Sequence, residues 1–471
     1  MMQFLLHQQT ITVDNVDPNL TVLNWLRNDA QRCGSKEGCA SGDCGACTVV
    51  IGSAEAGRMR YRSANSCLLL LGQLAGKQLL TVEDLAHDGV LHPVQQAIAS
   101  GHASQCGFCT PGIVMSTFAL HKEEPAPDRQ TVCQHLGGNL CRCTGYRPVI
   151  EAALRAGSPA DRFSQQEQQT IARLAGLHAP GDSATYLLPD SLAALAACCQ
   201  QYPNASLLAG GTDLNLRLTQ SGQRHQQVIS LQQVSELRRI ERDGNRLILG
   251  AMATLEACHQ ALAGLYPAFG PLFDRFASRQ IRNHGTLGGN IANASPIGDG
   301  APALLALDAR LRLRCGAAVR ELPLADFFTG YRQTALQKGE FISHLLIDDV
   351  TVSQNLRLWK VSKRREDDIS AVCAAIDLTE SEGVICRARV AFGGMAAIPA
   401  RAYACEKALL GHALDDETLA RACSALADEF SPMSDARASA GYRLQVAQNL
   451  LRRYAIQRRH AGAVEVSDNV C

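Results

Sequence analysis

Ten of the 19 cysteines lie between Cys33 and Cys143, under a third of the 471 residues. Sulfur bunched in this way limits what the N-terminal third can be. An odd total spread so unevenly argues against a secreted disulfide framework. The opening MMQFLLHQQTITV turns polar too soon for a signal peptide. The expected location is therefore the cytoplasm, where clustered cysteines serve as metal ligands or redox centres more often than as disulfides.

The first cluster reads C-A-S-G-D-C-G-A-C, placing Cys39, Cys44 and Cys47 ahead of a distant Cys67 in S-A-N-S-C-L-L-L. Cys-x4-Cys-x2-Cys with a remote fourth cysteine is the plant-type [2Fe–2S] spacing. Glycines 38, 42 and 45 let the loop wrap closely and aim N–H groups at sulfur. A zinc site usually takes two short Cys-x2-Cys clips, which this stretch lacks. Around the loop, QFLLHQQ and TITVD read as strands with a turn near Gln8 and Gln9. TVLNWLRNDA has helical apolar spacing at Val22, Leu23 and Leu26, and RMRYRSANSCLLLLGQL supplies later strand material. A mixed β-grasp fold fits.

The second cluster pairs Cys106 and Cys109, in S-Q-C-G-F-C-T-P-G, with Cys141 and Cys143, in N-L-C-R-C-T-G-Y-R-P. Thr110 reads as an N-cap and Pro111 as the first helical position. Gly145 and Pro148 set up another helix after Cys143. Two cysteine pairs at helix starts can clamp one cluster, and each helix N-terminus favours its more negative, reduced state. A zinc clip is the competing reading. Cys133 fits neither pattern and reads as a plain buried thiol.

Balanced charge, with 45 Lys+Arg against 45 Asp+Glu, leaves no global field for nucleic acid or an anionic membrane. Forty-six per cent hydrophobic residues fits a globular chain, and no apolar run reaches the length of a membrane span. A polar stretch, residues 157–183, reads as a linker. Beyond it, ASLLAGGTDLNLRL is an apolar strand broken at Gly210-Gly211 and followed by Thr212 and Asp213. Such a turn can cradle a pyrophosphate, although glycine pairs are common in turns. IRNHGTLGGNIANASPIGDG adds Gly285, Gly288 and Gly289 with Thr286 and Asn290, and Asp299 beyond. Neither loop is G-x-G-x-x-G, so a doubly wound dinucleotide fold is not supported.

Two [2Fe–2S] motifs in this order, followed by these loops, resemble the xanthine dehydrogenase / molybdenum hydroxylase family from about residue 1 to 455. The resemblance implies an α+β multidomain chain with six segments. These are a β-grasp ferredoxin-like [2Fe–2S] domain (1–85), a four-helix-bundle [2Fe–2S] domain (86–156), a linker (157–183), an α+β FAD-binding domain (184–348), a C-terminal α+β flavoprotein domain (349–460) and a disordered tail (461–471). It implies that Leu207, Leu208, Ala209, Gly210, Gly211, Thr212, Asp213 and Leu214 hold the flavin diphosphate, with Phe276 beside the isoalloxazine. Thr286, Leu287, Gly288, Gly289 and Asn290 form the second FAD loop, completed by Asp299, Ile342 and Lys360. Tyr331 corresponds to the tyrosine by which nicotinamide stacks, Asp367 to a loop controlling NAD access, and Gln105 to the pterin-facing residue. Read without the family, Phe276 is core packing, KRREDD is a solvated charge run and Gln105 is a surface residue.

The same resemblance implies an electron relay from a molybdenum–pterin centre through two [2Fe–2S] clusters and FAD to NAD. No catalytic residue for substrate oxidation is expected in this chain. The substrate site would lie on a large molybdenum-binding partner, in an (αβ)2 heterotetramer oxidising hypoxanthine or xanthine to urate. An aldehyde or aromatic-compound hydroxylase keeps the relay and changes the substrate. A non-enzymatic redox sensor would use the cysteines as switches and hold no flavin.

Overall fold

A computed structural model describes residues 1–157, 161–178, 181–348, 350 and 355–460. The chain opens with a hairpin, β1 (Met2–Leu6) and β2 (Gln9–Val13), then α1 (Val22–Asn28), β3 (Thr48–Glu55), β4 (Arg58–Asn65) and β5 (Gln78–Leu80). The strand order β2-β1-β5-β3-β4, with β1 and β5 parallel and the other pairs antiparallel, is the β-grasp arrangement. Thr21 caps α1 by accepting from the Asn24 N–H, and Val22, Leu23 and Leu26 form its buried face as their spacing predicts. The expected strand through the Cys67 segment ends early, at Asn65. Leu68 to Leu71 are all buried, and a run apolar on every side cannot keep the one-face alternation of a half-exposed strand. It turns into a 3-10 segment, Leu71–Leu74, wedged against Tyr186, Leu208 and Val228.

Four helices follow: α2 (Pro93–Ser100), α3 (Thr110–Glu123), α4 (Arg129–Leu136) and α5 (Arg147–Arg155). In α3 every residue from Gly112 to His121 is buried, as expected of the central helix of a bundle. Its N-cap is Cys109, one residue before the expected Thr110, because the Thr110 hydroxyl pairs with Ser104 Oγ at 2.7 Å.

The stretch read as a linker is more than a connection, since it carries α6 (Arg162–Gln165) and α7 (Glu167–Ala175). Phe163 is buried and meets Phe118 edge-on at 4.9 Å. Glu167 accepts from the Met59 N–H at 2.8 Å. Asp161 caps α6, pairs with Lys122 and lies 2.9 Å from His92. Few apolar residues among many polar ones concealed this helical face from composition.

The flavin half begins with β6 (Tyr186–Leu187), α8 (Leu192–Gln201), β7 (Ser206–Leu208), α9 (Leu216–Ser221) and β8 (Val228–Ser230), forming a parallel sheet in the order β6-β8-β7. Next come β9 (Ile240–Asp243), β10 (Arg246–Gly250), α10 (Leu255–Ala263), α11 (Phe269–Asp274), α12 (Arg279–Arg282), α13 (Leu287–Ala292) and α14 (Gly300–Ala306). They are followed by β11 (Arg310–Cys315), β12 (Ala318–Pro323), β13 (Phe328–Gly330), β14 (Gln333–Thr334) and β15 (Phe341–Ile347). An antiparallel sheet, β12-β11-β15-β10-β9, backs these helices.

The chain ends in an antiparallel sheet, β16 (Arg357–Val361), β17 (Val372–Ser381), β18 (Val384–Gly393) and β19 (Ala400–Arg401), with α15 (Tyr403–Leu409), α16 (Asp416–Glu429) and α17 (Ala440–Arg459). Alternation along β17 explains its position. Val372, Ala374 and Ile376 enter the core shared with these helices, while Cys373 and Ala375 enter the core of the preceding segment. The expected tail, 461–471, lies outside the described residues. Among the described residues no helix is long and apolar enough to cross a membrane.

Candidate cofactor sites

The eight sulfurs predicted as ligands come together in twos. Cys47 and Cys67 stand 3.4 Å apart and are buried. Cys39 is hydrogen-bonded by the Cys44 thiol, and the N–H groups of Ser41 and Cys44 each reach its sulfur at 3.4 Å. The Cys44 thiol and the Ser41 donors, outweighing burial, bring Cys39 down to about 4. In the second cluster Cys109 pairs with Cys141, and Cys106 with Cys143. Thus each close pair there takes one sulfur from the Cys-x2-Cys and one from the Cys-x-Cys, a pairing that spacing alone does not reveal. The Thr144 N–H reaches Cys141 at 3.4 Å. Among the described residues no three Cys, His, Asp or Glu side chains converge to hold a single metal ion. Sulfurs set in close twos match what a two-iron cluster takes, two cysteines for each iron.

The two cluster loops touch. The Leu140 N–H donates to the Cys44 carbonyl at 2.9 Å, and Asn139 Nδ2 to the Gly45 carbonyl at 3.1 Å. Gly45 has φ +68°, and a Cβ there would meet the Gly138 carbonyl at 2.3 Å, so only glycine permits this approach. The flavin half is fastened to the same place. Gln220 Nε2 donates to the Ala40 carbonyl at 2.8 Å, and Gln280 Nε2 to Asn139 Oδ1 at 2.9 Å. Leu216 and Ile281 pack on Cys47, Cys67 and Leu68. The inner half of the first site, Cys47 and Cys67, is buried, while Cys39 and Cys44 are half-buried. The second is open, with Cys106 and Cys143 exposed beside exposed Phe108, Leu140 and Tyr146. Gln105 is exposed there too. Cys133 is half-buried, not a fully enclosed thiol, and lines a cavity of about 500 Å³ with Asp367.

The glycine-rich loops lie against one another. A Cβ on Gly210 would stand 1.9 Å from the His284 carbonyl oxygen, and one on Gly285 would stand 3.2 Å from Thr212 Oγ1. Thr286 caps α13 by accepting from the Gly289 N–H, so the second loop runs straight into a helix start. Lys360 Nζ donates to Asp299 Oδ2 at 2.6 Å and to Ser370 Oγ at 3.0 Å, and Ser370 Oγ donates to Asp299 Oδ1 at 2.5 Å. An ammonium has three donors, so one is left to spend. Asn290 Oδ1 is buried without a partner beside Gly300. Adjacent turns, a helix start and an unspent cationic donor fit the diphosphate of a flavin, while the unpartnered Asn290 oxygen, an acceptor, fits one of its hydroxyl or amino donors. Phe276, 7% exposed, stacks on Phe273 at 5.7 Å, and Ile342 is likewise buried. Sequence reasoning missed Ser370, and also Gln73, whose Nε2 donates to the Ala209 and Gly210 carbonyls. Neither sits in a local motif.

The two NAD candidates differ. Tyr331 is 62% exposed on the turn between β13 and β14. Asp367 is mostly buried with φ +45°, its Oδ2 lacks a partner, and burial followed by the charge of Asp43 raises its carboxyl to about 7.

Residues 4–71 match the 2Fe-2S iron–sulfur cluster binding domain and 81–154 the [2Fe-2S] binding domain. Residues 182–347 match the FAD binding domain in molybdopterin dehydrogenase, and 357–457 the CO dehydrogenase flavoprotein C-terminal domain. Xanthine dehydrogenase of Emericella nidulans is 32% identical over 91% of this chain, which spans 36% of that relative's length. CO dehydrogenase from Oligotropha carboxidovorans is similar in structure, with a TM-score of 0.54, 29% identity, and coverage of 59% of this chain and 97% of that one. Quinoline 2-oxidoreductase from Pseudomonas putida 86 gives a TM-score of 0.53, 26% identity, and coverage of 59% and 97%.

Proposed function

The chain belongs to the molybdenum hydroxylase family, whose iron–sulfur and FAD-binding part it carries, and from that premise we propose that it relays electrons from a molybdenum–pterin centre to NAD while hypoxanthine or xanthine is oxidised to urate. The centre and substrate site belong to a large partner subunit, in an (αβ)2 assembly. Cys106, Cys109, Cys141 and Cys143 hold the cluster nearer the partner, and Cys39, Cys44, Cys47 and Cys67 the cluster nearer the flavin. When bound, FAD exchanges single electrons with iron–sulfur centres and a hydride with NAD, so it joins the two kinds of traffic.

The chain's own residues set the order and the insulation. The observation that carries the reading is the placement of the first site, joined to the bundle through Leu140 and Cys44 and to the flavin half through Gln220 and Ala40. Leu216 and Ile281 exclude water from Cys47 and Cys67. Asp299 and Ser370 orient the Lys360 ammonium toward the flavin cleft. The exposed apolar surface around Cys106 and Cys143, with Gln105 on it, faces the partner. Tyr331 and the Asp367 loop receive the nicotinamide.

The relatives divide on substrate. The xanthine dehydrogenase aligns with 91% of this chain, so its iron–sulfur and flavin segments follow one another in one polypeptide, which supports the xanthine reading. The CO dehydrogenase and quinoline oxidoreductase chains are almost fully covered by 59% of this one, which supports a second reading with an aldehyde or aromatic substrate. NADH formation by the purified holoenzyme separates them: turnover with xanthine and none with quinoline or benzaldehyde is expected, and the reverse overturns the purine assignment. Tyr331→Ala is expected to slow NADH formation while leaving reduction of an artificial dye intact. Equal losses would remove the nicotinamide role.

A further inference from the structure

Behind the first glycine-rich loop, the β-grasp sheet and the flavin half line an open-mouthed cavity of about 400 Å³. Three cations line it from three distant segments: Arg62 on β4, Lys77 before β5 and Arg238 after β8. A single carboxylate, Glu55, answers them, and it is taken by Arg62, whose Nη2 lies 2.7 Å from Glu55 Oε2. Lys77 Nζ reaches only neutral oxygens, the Gln73 carbonyl at 2.9 Å and Gln232 Oε1 at 3.4 Å. Arg238 donates to the Gln232 carbonyl. Among the described residues neither Lys77 nor Arg238 has a carboxylate partner, so the basic side chains of the cavity outnumber its one carboxylate. His284 Nε2 is buried at its edge without a partner.

The cavity shares Ala209, Gly210 and Thr286 with the flavin loops, but the face it meets on the first loop is not the one suited to a diphosphate. The Ala209 and Gly210 carbonyls turn toward this seam, where they accept from Gln73 Nε2 at 3.3 and 3.2 Å. A pyrophosphate needs N–H donors, and carbonyl oxygens would repel it. The Asp299–Lys360 pair and Asn290 do not line this cavity.

We propose that the seam binds a small phosphate-bearing anion, held by Lys77, Arg62 and Arg238. A flexible ammonium and forked guanidiniums suit a tetrahedral anion, whose negative charge would supply the missing counter-charge and hold Lys77 protonated. Burial, with Arg238 and then Arg62 beside it, lowers the Lys77 ammonium to about 7, the condition of a cation lacking its counter-charge. Because Lys77 also holds the Gln73 carbonyl, and Gln73 holds the glycine loop, an anion here would brace that loop from behind.

The test is calorimetric titration of inorganic phosphate into the flavin-loaded chain at constant ionic strength, with adenosine monophosphate as a second probe. One saturable site is expected, weakened about tenfold to a hundredfold in both Lys77→Met and Arg238→Gln, since a charge-assisted bond is lost in each. The rise in thermal midpoint with phosphate should vanish in the same variants. Tighter binding of the nucleotide identifies a phosphate ester, and tighter binding of the free ion identifies phosphate itself. Absence of saturable binding by either probe overturns the proposal. So does unchanged affinity in the variants, or flavin release on adding phosphate. If Lys77→Met fails to fold, Arg238→Gln, whose side chain lies at the exposed rim, carries the comparison alone.

Discussion

Alanine at position 210 tests the apposition of the two glycine-rich loops. Its Cβ would stand 1.9 Å from the His284 carbonyl oxygen, 2.6 Å from that carbonyl carbon and 3.0 Å from Gly285 Cα. Ordinary contact begins near about 3.5 Å, so the loops must part by about 1.5 Å. Every opposing atom is backbone, so no side chain can swing aside. The overpacking should destabilise the fold by about 1–3 kcal/mol. The same displacement carries N–H groups out of hydrogen-bond range of a diphosphate. Losing two charge-assisted bonds of about 1.5–3 kcal/mol each would weaken FAD binding by about two to four orders of magnitude. The control is Gly441→Ala near the start of α17, where an added Cβ meets no other segment within 4 Å. That change should leave FAD binding unaltered and stabilise the helix by up to about 1 kcal/mol. Fluorescence titration of FAD into deflavinated protein, with iron content measured in parallel, reads both variants. Should Gly210→Ala bind FAD as tightly as the wild type, or lose iron together with flavin, the reasoning from loop apposition fails.

Cys109→Ala should remove one of two clusters while FAD is retained, because its partner Cys141 belongs to the second site only; a full iron complement would sink the ligand assignment. Asp161→Ala leaves Lys122 and His92 facing a buried gap and should cost about 3–5 kcal/mol by urea unfolding, a loss under 1 kcal/mol showing that the pair is not coupled to the fold. Asp367 should give a stability slope opposite to that of an ordinary paired carboxylate. Its folded carboxyl, at about 7, keeps a proton that the unfolded chain releases near 3.8, so its contribution falls as pH rises through that interval and is flat above it. Asp367→Asn should therefore gain on the wild type between those values in a thermal-midpoint series, and parallel curves would refute the assignment.

Much of the N-terminal third was legible because its signals are short-range. Cys39, Cys44 and Cys47 lie on one loop, and the apolar spacing of α1 and the proline of α3 act within a few residues. The misreadings arose where packing overrode local pattern. Leu68 to Leu71 look like strand and become a wedge because they are buried on every side. The polar stretch after the bundle hides a docked face because, among its described residues, Phe163 and Leu174 are the only buried large apolar anchors.

Covalent spacing alone thus determined that Cys39, Cys44 and Cys47 share one loop and that two glycine turns precede a carboxylate, since residues a few positions apart cannot separate by more than the chain allows. Tertiary structure decided which sulfur of each clip meets which partner, and what Gly210 touches. It also decided that Lys77, Arg62 and Arg238 share one cavity. Those contacts join segments far apart in sequence, where no backbone geometry fixes distance and only the shapes of the packed layers choose who meets.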